Sequence, residues 1–361
     1  SIPLRIQFSQ ANNQRLSSES VILTVETAQG IRGYGEACPR AYVTGEDMAS
    51  VLGEVALLQR MLTGRVIEEI SEIETLLCEE LVGYIGNATC CALELALLDA
   101  LGKEKGISIY EALANFPQQV VTYAGVLPMA VSNQQERLLG MIYHLGFREI
   151  KIKAGIEVAE TLGQIEVLRT WLGPKVPLRL DVNEAWSLPV AMDSIPRLIE
   201  SGIEVFEQIF PKGREADMEP VMASFGQDAI FMADESVTTL ESAREALDNK
   251  WFNRLNLKLS KNGGLFRSRQ IYQMAEAADV SSQLGAHVGE TSILTAAGLI
   301  FSGMVPMLTA IEGGLGTLLL ERDVVRDSLQ FGPGARIKRP AQRLAEPGLG
   351  LKIELGEETI Q

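Results

Sequence analysis

The chain has 361 residues, 46% hydrophobic and 22% charged, which is too apolar for a disordered protein and long enough for two domains or one barrel with an attachment. Its 32 basic and 47 acidic side chains leave a net charge of −15, which excludes the basic face of a nucleic-acid binder and a polybasic membrane anchor. Four cysteines without a C-x-x-C pair exclude a disulfide framework and a zinc site; no run of about 18 apolar residues spans a membrane, no secretory-type N-terminus is present, and a reducing cytoplasm is expected.

Residues 1 to about 35 read as strands. IPLRIQFS and VILTVETAQGIRGYGEA alternate apolar and polar positions, and the Gly-rich stretch from Gln29 to Gly35 turns the second into a hairpin. From about residue 46 to 115 apolar residues recur every three or four positions, as in ETLLCEELVGYIG and TCCALELALLDALGKEKG, the latter closing on Lys-Gly as a helix end does. Strands followed by helices predict a separate α+β domain over residues 1–120. Eight short β-branched runs then alternate with amphipathic stretches: VVTYAGVL, REIKIKAG, PLRLDVN, EVFEQI, AIFMADE, RLNLKLS, SSQLGAHV and PMLTAIE. That alternation predicts a parallel α/β barrel over 121–325, with a Pro/Gly-rich tail, 326–361, returning to the first domain as a strand.

Charged residues at the ends of these runs need a reason, because strand interiors are apolar and barrel chemistry sits at the strands' C-terminal ends. In order they are Lys151 and Lys153, Asp181, Glu207, Asp234, Lys258 and Glu312. From Lys153 to Lys258 they recur at intervals of 28, 26, 27 and 24 residues, each about one βα unit, which places them around one mouth. Three converging carboxylates stay ionised only with a cation between them, and all-oxygen ligation suits Mg²⁺. Zinc would want His or Cys, and the chain has only His144 and His287. A lysine beside the cation, or beside a second lysine as Lys153 is beside Lys151, has its pKa lowered toward that of a base. Metal and lysines together suit removal of a proton next to a substrate carboxylate, through an enediolate.

These segments resemble the enolase superfamily and, within it, the muconate-lactonizing-enzyme subgroup. The resemblance spans nearly the whole chain: GYGEACP and YVTGED in the cap, CCALELALLDALGKEKGISIYEAL at its close, IKIKAG, LDVNEAW, FEQ, ADES and LKLSKNGG on the barrel strands, and EPGLGLKI in the tail. It implies a (β/α)₇β TIM-like barrel with an N-terminal α+β capping domain completed by the tail. It implies Mg²⁺, with Mn²⁺ as an alternative, on Asp181, Glu207 and Asp234, and Lys153 and Lys258 as acid/base catalysts on opposite faces of the substrate. Lys151 would tune Lys153 and touch the substrate carboxylate, Asn183 would stand next to the metal ligands, and Lys261 would point away from the mouth. A small carboxylate substrate and a homo-oligomer, dimer or octamer, are likewise implied.

Other positions stay open. His287, near the end of the seventh strand, has no acid on the sixth to partner it and reads as a pocket-lining residue. Glu290 reads either as a pocket residue or as an acid in the first turn of the next helix. FEQ runs on as FEQIFP where the family usually continues directly with Pro, so the following loop is expected to differ. Dipeptide epimerases of the subgroup show D-x-D at the eighth strand, holding the substrate's amino group; Glu312-Gly313-Gly314 stands here and looks more like the cycloisomerases. Substrate selection is expected in the cap, at Gln10 to Ser18 and Pro39 to Glu46, with Tyr42, Val43 and Thr44 closing over the ligand. The leading expectation is a muconate-cycloisomerase-like isomerase or lyase. The alternatives are an N-acyl amino acid or dipeptide racemase or epimerase, an o-succinylbenzoate-synthase-like dehydratase and, in another class, a non-catalytic metal-containing binding barrel.

Overall fold

The computed structural model describes residues 1–10, 13–127, 135–155 and 157–355. Two antiparallel hairpins begin it: β1 (Ile2–Gln10) with β2 (Asn13–Ser18), and β3 (Val21–Glu26) with β4 (Arg32–Ala37). Helices α1 (Ala41–Thr44), α2 (Met48–Leu62), α3 (Ile70–Thr75), α4 (Asn87–Lys105) and α5 (Ile109–Leu113) follow. The helix expected through ETLLCEELVGYIG is cut short, because after Thr75 the chain widens into a π turn over Leu76–Glu80 and then leaves the helix. Helix α4 is apolar on nearly every side and is the buried axis of this cap. It lies directly on β4: a Cβ at Gly35 would stand 1.9 Å from the Ala92 carbonyl oxygen, so only glycine permits the approach.

The run VVTYAGVL is split. Strand β5 (Val120–Thr122) turns outward, and only β6 (Gly125–Leu127) enters the barrel. The βα alternation then proceeds as read: α6 (Gln135–Leu145), β7 (Ile150–Lys153), α7 (Val158–Leu172), β8 (Leu178–Asp181), α8 (Leu188–Glu200), β9 (Ile203–Glu207), α9 (Met218–Phe225) and β10 (Ile230–Ala233). It continues with α10 (Leu240–Asp248), β11 (Arg254–Leu257), α11 (Leu259–Asn262), α12 (Leu265–Ala277), β12 (Ser281–Leu284) and α13 (Ser292–Met304). Strands β6 to β12 form one seven-stranded sheet, parallel at every recorded pairing and in sequence order. The eighth run, PMLTAIE, is too short to count as a strand, yet it closes the ring. Ile311 bridges Leu284 of β12, and its carbonyl accepts the Ala124 N–H at 2.7 Å beside β6. With its α+β cap the architecture is a TIM-like barrel.

The tail comes back to the cap side. Strand β13 (Arg336–Lys338) pairs antiparallel with β5. Farther on, Gly348 takes a left-handed φ of 75°, which lets the Leu349 N–H reach the Asp99 carboxylate of α4 at 2.9 Å.

Two cap glutamates fasten the cap to the barrel by capping barrel helices. Glu36 of β4 accepts the Thr291 N–H, the Thr291 hydroxyl and the Leu294 N–H at the start of α13. Glu94 of α4 accepts the Leu265 and Phe266 N–H groups at the start of α12. Those N–H groups have no partner within their own helix, and the helix dipole favours an acid there.

Burial pushes the Glu94 carboxyl up to about 8 despite those two donors. The folded chain therefore keeps a proton there that the unfolded chain releases near the ordinary value of 4.5. That contribution to stability is complete below this ordinary value and is lost as pH rises through the folded value, with a slope of up to about 1.4 kcal/mol per pH unit. Urea unfolding of the wild type and of Glu94→Gln across that range checks it: the wild type should lose stability relative to Glu94→Gln as pH rises.

Candidate active site

Side chains alternate across a strand, so the inward positions of each barrel strand are two residues apart. On β7 these are Lys151 and Lys153, on β8 Arg179 and Asp181. Asn256 within β11 and Lys258 just past its end follow the same rule. Register then sets neighbours: Lys153 lies opposite Asp181, and Asp181 opposite Glu207. Asp234 stands just past the end of β10, where the Gln208 side chain holds it. The Gln208 amide oxygen accepts the Asp234 and Ser236 N–H groups, while its nitrogen donates to Ser236 Oγ and the Phe210 carbonyl. Gln208 itself sits at a left-handed φ of 40°, as do Asn183 at 46° and Glu184 at 65°, where the chain leaves β9 and β8.

The three acids are buried, Asp181 and Glu207 completely, and lysine ammonium groups stand among them. Lys153 Nζ lies 2.5 Å from Asp181 Oδ2 and 2.8 Å from Asn183 Oδ1. Lys151 Nζ reaches Glu312 Oε2 at 2.9 Å, Glu207 Oε2 at 3.1 Å and Asp181 Oδ2 at 3.5 Å. Lys258 Nζ lies 2.5 Å from Asp234 Oδ2. Burial lifts the Glu207 carboxyl to about 7, helped by neighbouring Asp181. Against the cost of burial, Lys258 and Lys261 hold Asp234 well below the usual carboxylate range, and Asp234 and Glu207 hold Lys258 above its ordinary value. Lys151 is likewise held up by Glu207 and Glu312 against burial. The upward direction has one cause: in the chain alone each of these two ammonium groups faces carboxylates.

Above this layer lies a cavity of about 80 Å³. Lys151, Lys153, Lys258, Asn183, His287, Glu290, Glu312 and Tyr42 all line it, so the structure brings together nearly every side chain the sequence singles out. The acids Asp181, Glu207 and Asp234 are not among the lining residues and lie beneath the lysines. Thr44 is a correction. It does not line the cavity, because the turn of α1 sends its hydroxyl to Glu46, and Tyr42 and Val43 form the wall instead. Of the stretch from Gln10 to Ser18, residues 11 and 12 lie outside the described residues. His287 is buried and kept neutral by burial and by the nearby Arg40 and Lys258 charges. The Glu290 carboxylate accepts the His287 N–H at 2.7 Å, and burial lifts it to about 8.

Several functional neighbours escaped the sequence reading. Lys261 does stay out of the cavity, but it does not turn to solvent. The single turn of α11 folds it back under the site, where Nζ donates to Asp234 Oδ1 and to the carbonyls of Asp234 and Asn256. Asn256 donates to Glu207 at 2.8 Å. Glu235 lines the cavity, accepts from Asn183, and is pushed up to about 8 by burial and by Asp234 and Asp181.

The donor set matches a hard divalent cation: three buried carboxylates come from adjacent strand ends, and Glu207 Oε2 meets only the Lys151 ammonium, as an ion pair without a well-aligned hydrogen bond. Among the described residues no three acid, imidazole or thiol groups already meet at ligating distance, since the ammonium groups occupy the gaps. Among the same residues, no helix is long and apolar enough to cross a membrane.

Residues 1–114 match the mandelate racemase / muconate lactonizing enzyme N-terminal domain, and residues 135–358 match the enolase C-terminal domain-like family. A hydrophobic dipeptide epimerase of Enterococcus faecalis is 30% identical over 298 residues, 82% of each chain. A dipeptide epimerase structure from Enterococcus faecalis V583, complexed with Mg and the dipeptide L-Leu-L-Tyr, superposes with a TM-score of 0.85 at 25% identity, covering 97% of this chain and 96% of that one. Muconate lactonizing enzyme from Pseudomonas fluorescens, complexed with muconolactone, gives a TM-score of 0.86 at 25% identity over 99% and 95%.

The buried position of Lys261 has a measurable consequence. Lys261→Met leaves Asp234 with one ammonium fewer and should lower the unfolding free energy in urea by about 3–5 kcal/mol, the cost of breaking a buried pair. A loss below about 1 kcal/mol would place Lys261 among surface pairs.

Proposed function

Because the chain is an enzyme of the enolase superfamily, in the branch of mandelate racemase and muconate lactonizing enzyme, we propose that it moves the proton α to a carboxylate with the help of Mg²⁺. The substrate we infer is an amino acid derivative whose α-nitrogen is acylated, and the reaction inverts its α-carbon.

The observation that carries this reading is the placement of two lysines at one cavity. Lys153 comes from β7 and Lys258 from the end of β11, with β8, β9 and β10 between them, so the two ammonium groups face the cavity from different sides of the ring. A carbon held between them exposes one face to each. The lysine present as free amine takes the α-proton, and the other, as ammonium, delivers a proton to the opposite face. In the reverse direction their roles exchange. Lys151 binds the substrate carboxylate at the cavity floor. Asn183 accepts a hydrogen bond from Lys153 and holds it toward the carbon. Asp181, Glu207 and Asp234 would hold the divalent cation. When bound there, Mg²⁺ supplies a Lewis acid for the substrate carboxylate and offsets the charge that builds on it. Tyr42 and Val43 close the cavity from the cap and exclude water.

The acylated nitrogen follows from Gly313 and Gly314. Both line the cavity beyond Glu312, and a Cβ would stand 3.0 Å from Ala286 Cβ at the first and 2.8 Å from the Tyr123 ring at the second. No acid stands at these two positions to pair with an ammonium group of the substrate. A second reading, cycloisomerisation of an unsaturated dicarboxylate, is favoured by the same Glu312-Gly313-Gly314 sequence, and it needs only one of the two lysines as a proton donor.

Two measurements check the proposal. In deuterated solvent, α-proton exchange is followed by mass spectrometry across N-acyl amino acids and dipeptides of both configurations. Lys153→Ala should lose about 10²–10⁴-fold with one configuration and Lys258→Ala with the other. Consumption of a muconate with no exchange in the panel would favour the second reading, and equal exchange by both variants would refute the lysine roles. By calorimetry, Asp181→Asn should bind Mg²⁺ at least about tenfold more weakly; an unchanged affinity would remove Asp181 from the ligand set.

A further inference from the structure

Barrel interiors are ordinarily filled by layers of branched apolar side chains. Here a chain of alternating charges runs through that space. Glu149, just before β7, pairs with Arg179 Nε at 2.5 Å. The Arg179 guanidinium, 1% exposed, reaches Glu312 Oε1 at 2.9 Å and also bonds Gln283. The other oxygen of Glu312, Oε2, takes Lys151 Nζ at 2.9 Å. Both oxygens of Glu312 are therefore engaged, one by each cation, although the residue lines the cavity. Against burial, Lys151 and Arg179 hold its carboxyl down at about 2.

This arrangement bears on which cation Glu312 neutralises. A carboxylate facing one ammonium at 2.9 Å would cancel much of the field that the ammonium offers to a substrate anion. A carboxylate shared with a guanidinium on its far side cancels much less. We propose that Arg179 is a positioning residue for substrate binding: it shares and holds Glu312, so that Glu312 cancels less of the field that the Lys151 ammonium, which also faces Glu207 and Asp181, offers to the substrate carboxylate. Glu312 then serves Lys151 and makes no direct contact with substrate. The proposal rests on the reading of Lys151 as the carboxylate-binding lysine.

The test uses the full chain with Mg²⁺ and whichever N-acyl amino acid or dipeptide of the panel exchanges fastest. Arg179→Met should raise KM by at least about tenfold while kcat stays within about threefold, since the lost field acts on binding. Arg179→Lys should restore most of the loss. The decisive variant is Arg179→Met with Glu312→Gln, which removes both charges of the pair and should return KM toward the wild-type value. A folded Arg179→Met with unchanged KM, or a double variant no better than the single one, overturns the proposal. Should Arg179→Met fail to fold, Glu312→Gln alone decides: KM unchanged or lowered supports the proposal, and KM raised, as for a lost substrate contact, overturns it. The crystal structure of Arg179→Met reads the same claim without activity. Lys151 Nζ drawn toward Glu312 and off the cavity floor supports it, and an unmoved Nζ overturns it. Absence of exchange by the wild type would strike the proposed function and leave this structural readout to judge the role of Arg179.

Discussion

Alternation of buried charge is the constraint on which the rest of the molecule depends. An isolated charge in a protein interior costs several kcal/mol, and it is retained only where opposite charges and hydrogen bonds surround it. Three buried ions at the centre of this barrel meet that condition on two sides. Arg179 lies between Glu149 and Glu312, Lys151 between Glu312 and Glu207, and Asp234 between Lys258 and Lys261. Because each group has a partner on more than one side, none can shift without exposing another, and the lysines that border the cavity are held in place before any ligand arrives. That is preorganisation in electrostatic form.

The same physics joins the two parts of the chain. Glu36 and Glu94 come from the cap, and both end on the N-termini of barrel helices, where unpaired N–H groups and the helix dipole favour an acid. The cap segment over the cavity is tied in a related way. Arg40, just before α1, donates to the carbonyls of Glu19 and Val288, and Lys212, beyond β9, donates to the Val43 carbonyl at 3.1 Å. Lys212 directly follows FEQIFP. Tyr42 and Val43, which line the cavity with the lysines, are thus held by barrel residues on two sides.

Much of this was legible in the sequence, for a physical reason. In a barrel the strand period and the chemistry share one repeat, so charges at 24- to 28-residue intervals report both the fold and the mouth. What escaped was whatever depends on the third dimension. Arg179 stands two residues before Asp181, and its inward direction followed from strand alternation, but its partners Glu149, Gln283 and Glu312 come from elsewhere in the ring. Lys261 follows Lys258 by one helical turn, and only the abrupt α11 turn carries it back beneath Asp234. Glu312 was visible as a strand-end acid, while the fact that both its oxygens are spoken for was not. Thr44 read as part of the lid because three neighbouring residues cannot be told apart without knowing which way a one-turn helix faces.

The central claim is that the carboxylates at the ends of β8, β9 and β10 accept one divalent cation between them. Crystals grown with Mn²⁺, an anomalous scatterer with the oxygen preference of Mg²⁺, test it most directly. The account predicts a single anomalous peak within about 2.3 Å of oxygen atoms from Asp181, Glu207 and Asp234, with Lys153 and Lys258 remaining at the cavity on either side. A peak bound elsewhere, or three acids still held by the lysines at saturating metal, would contradict it.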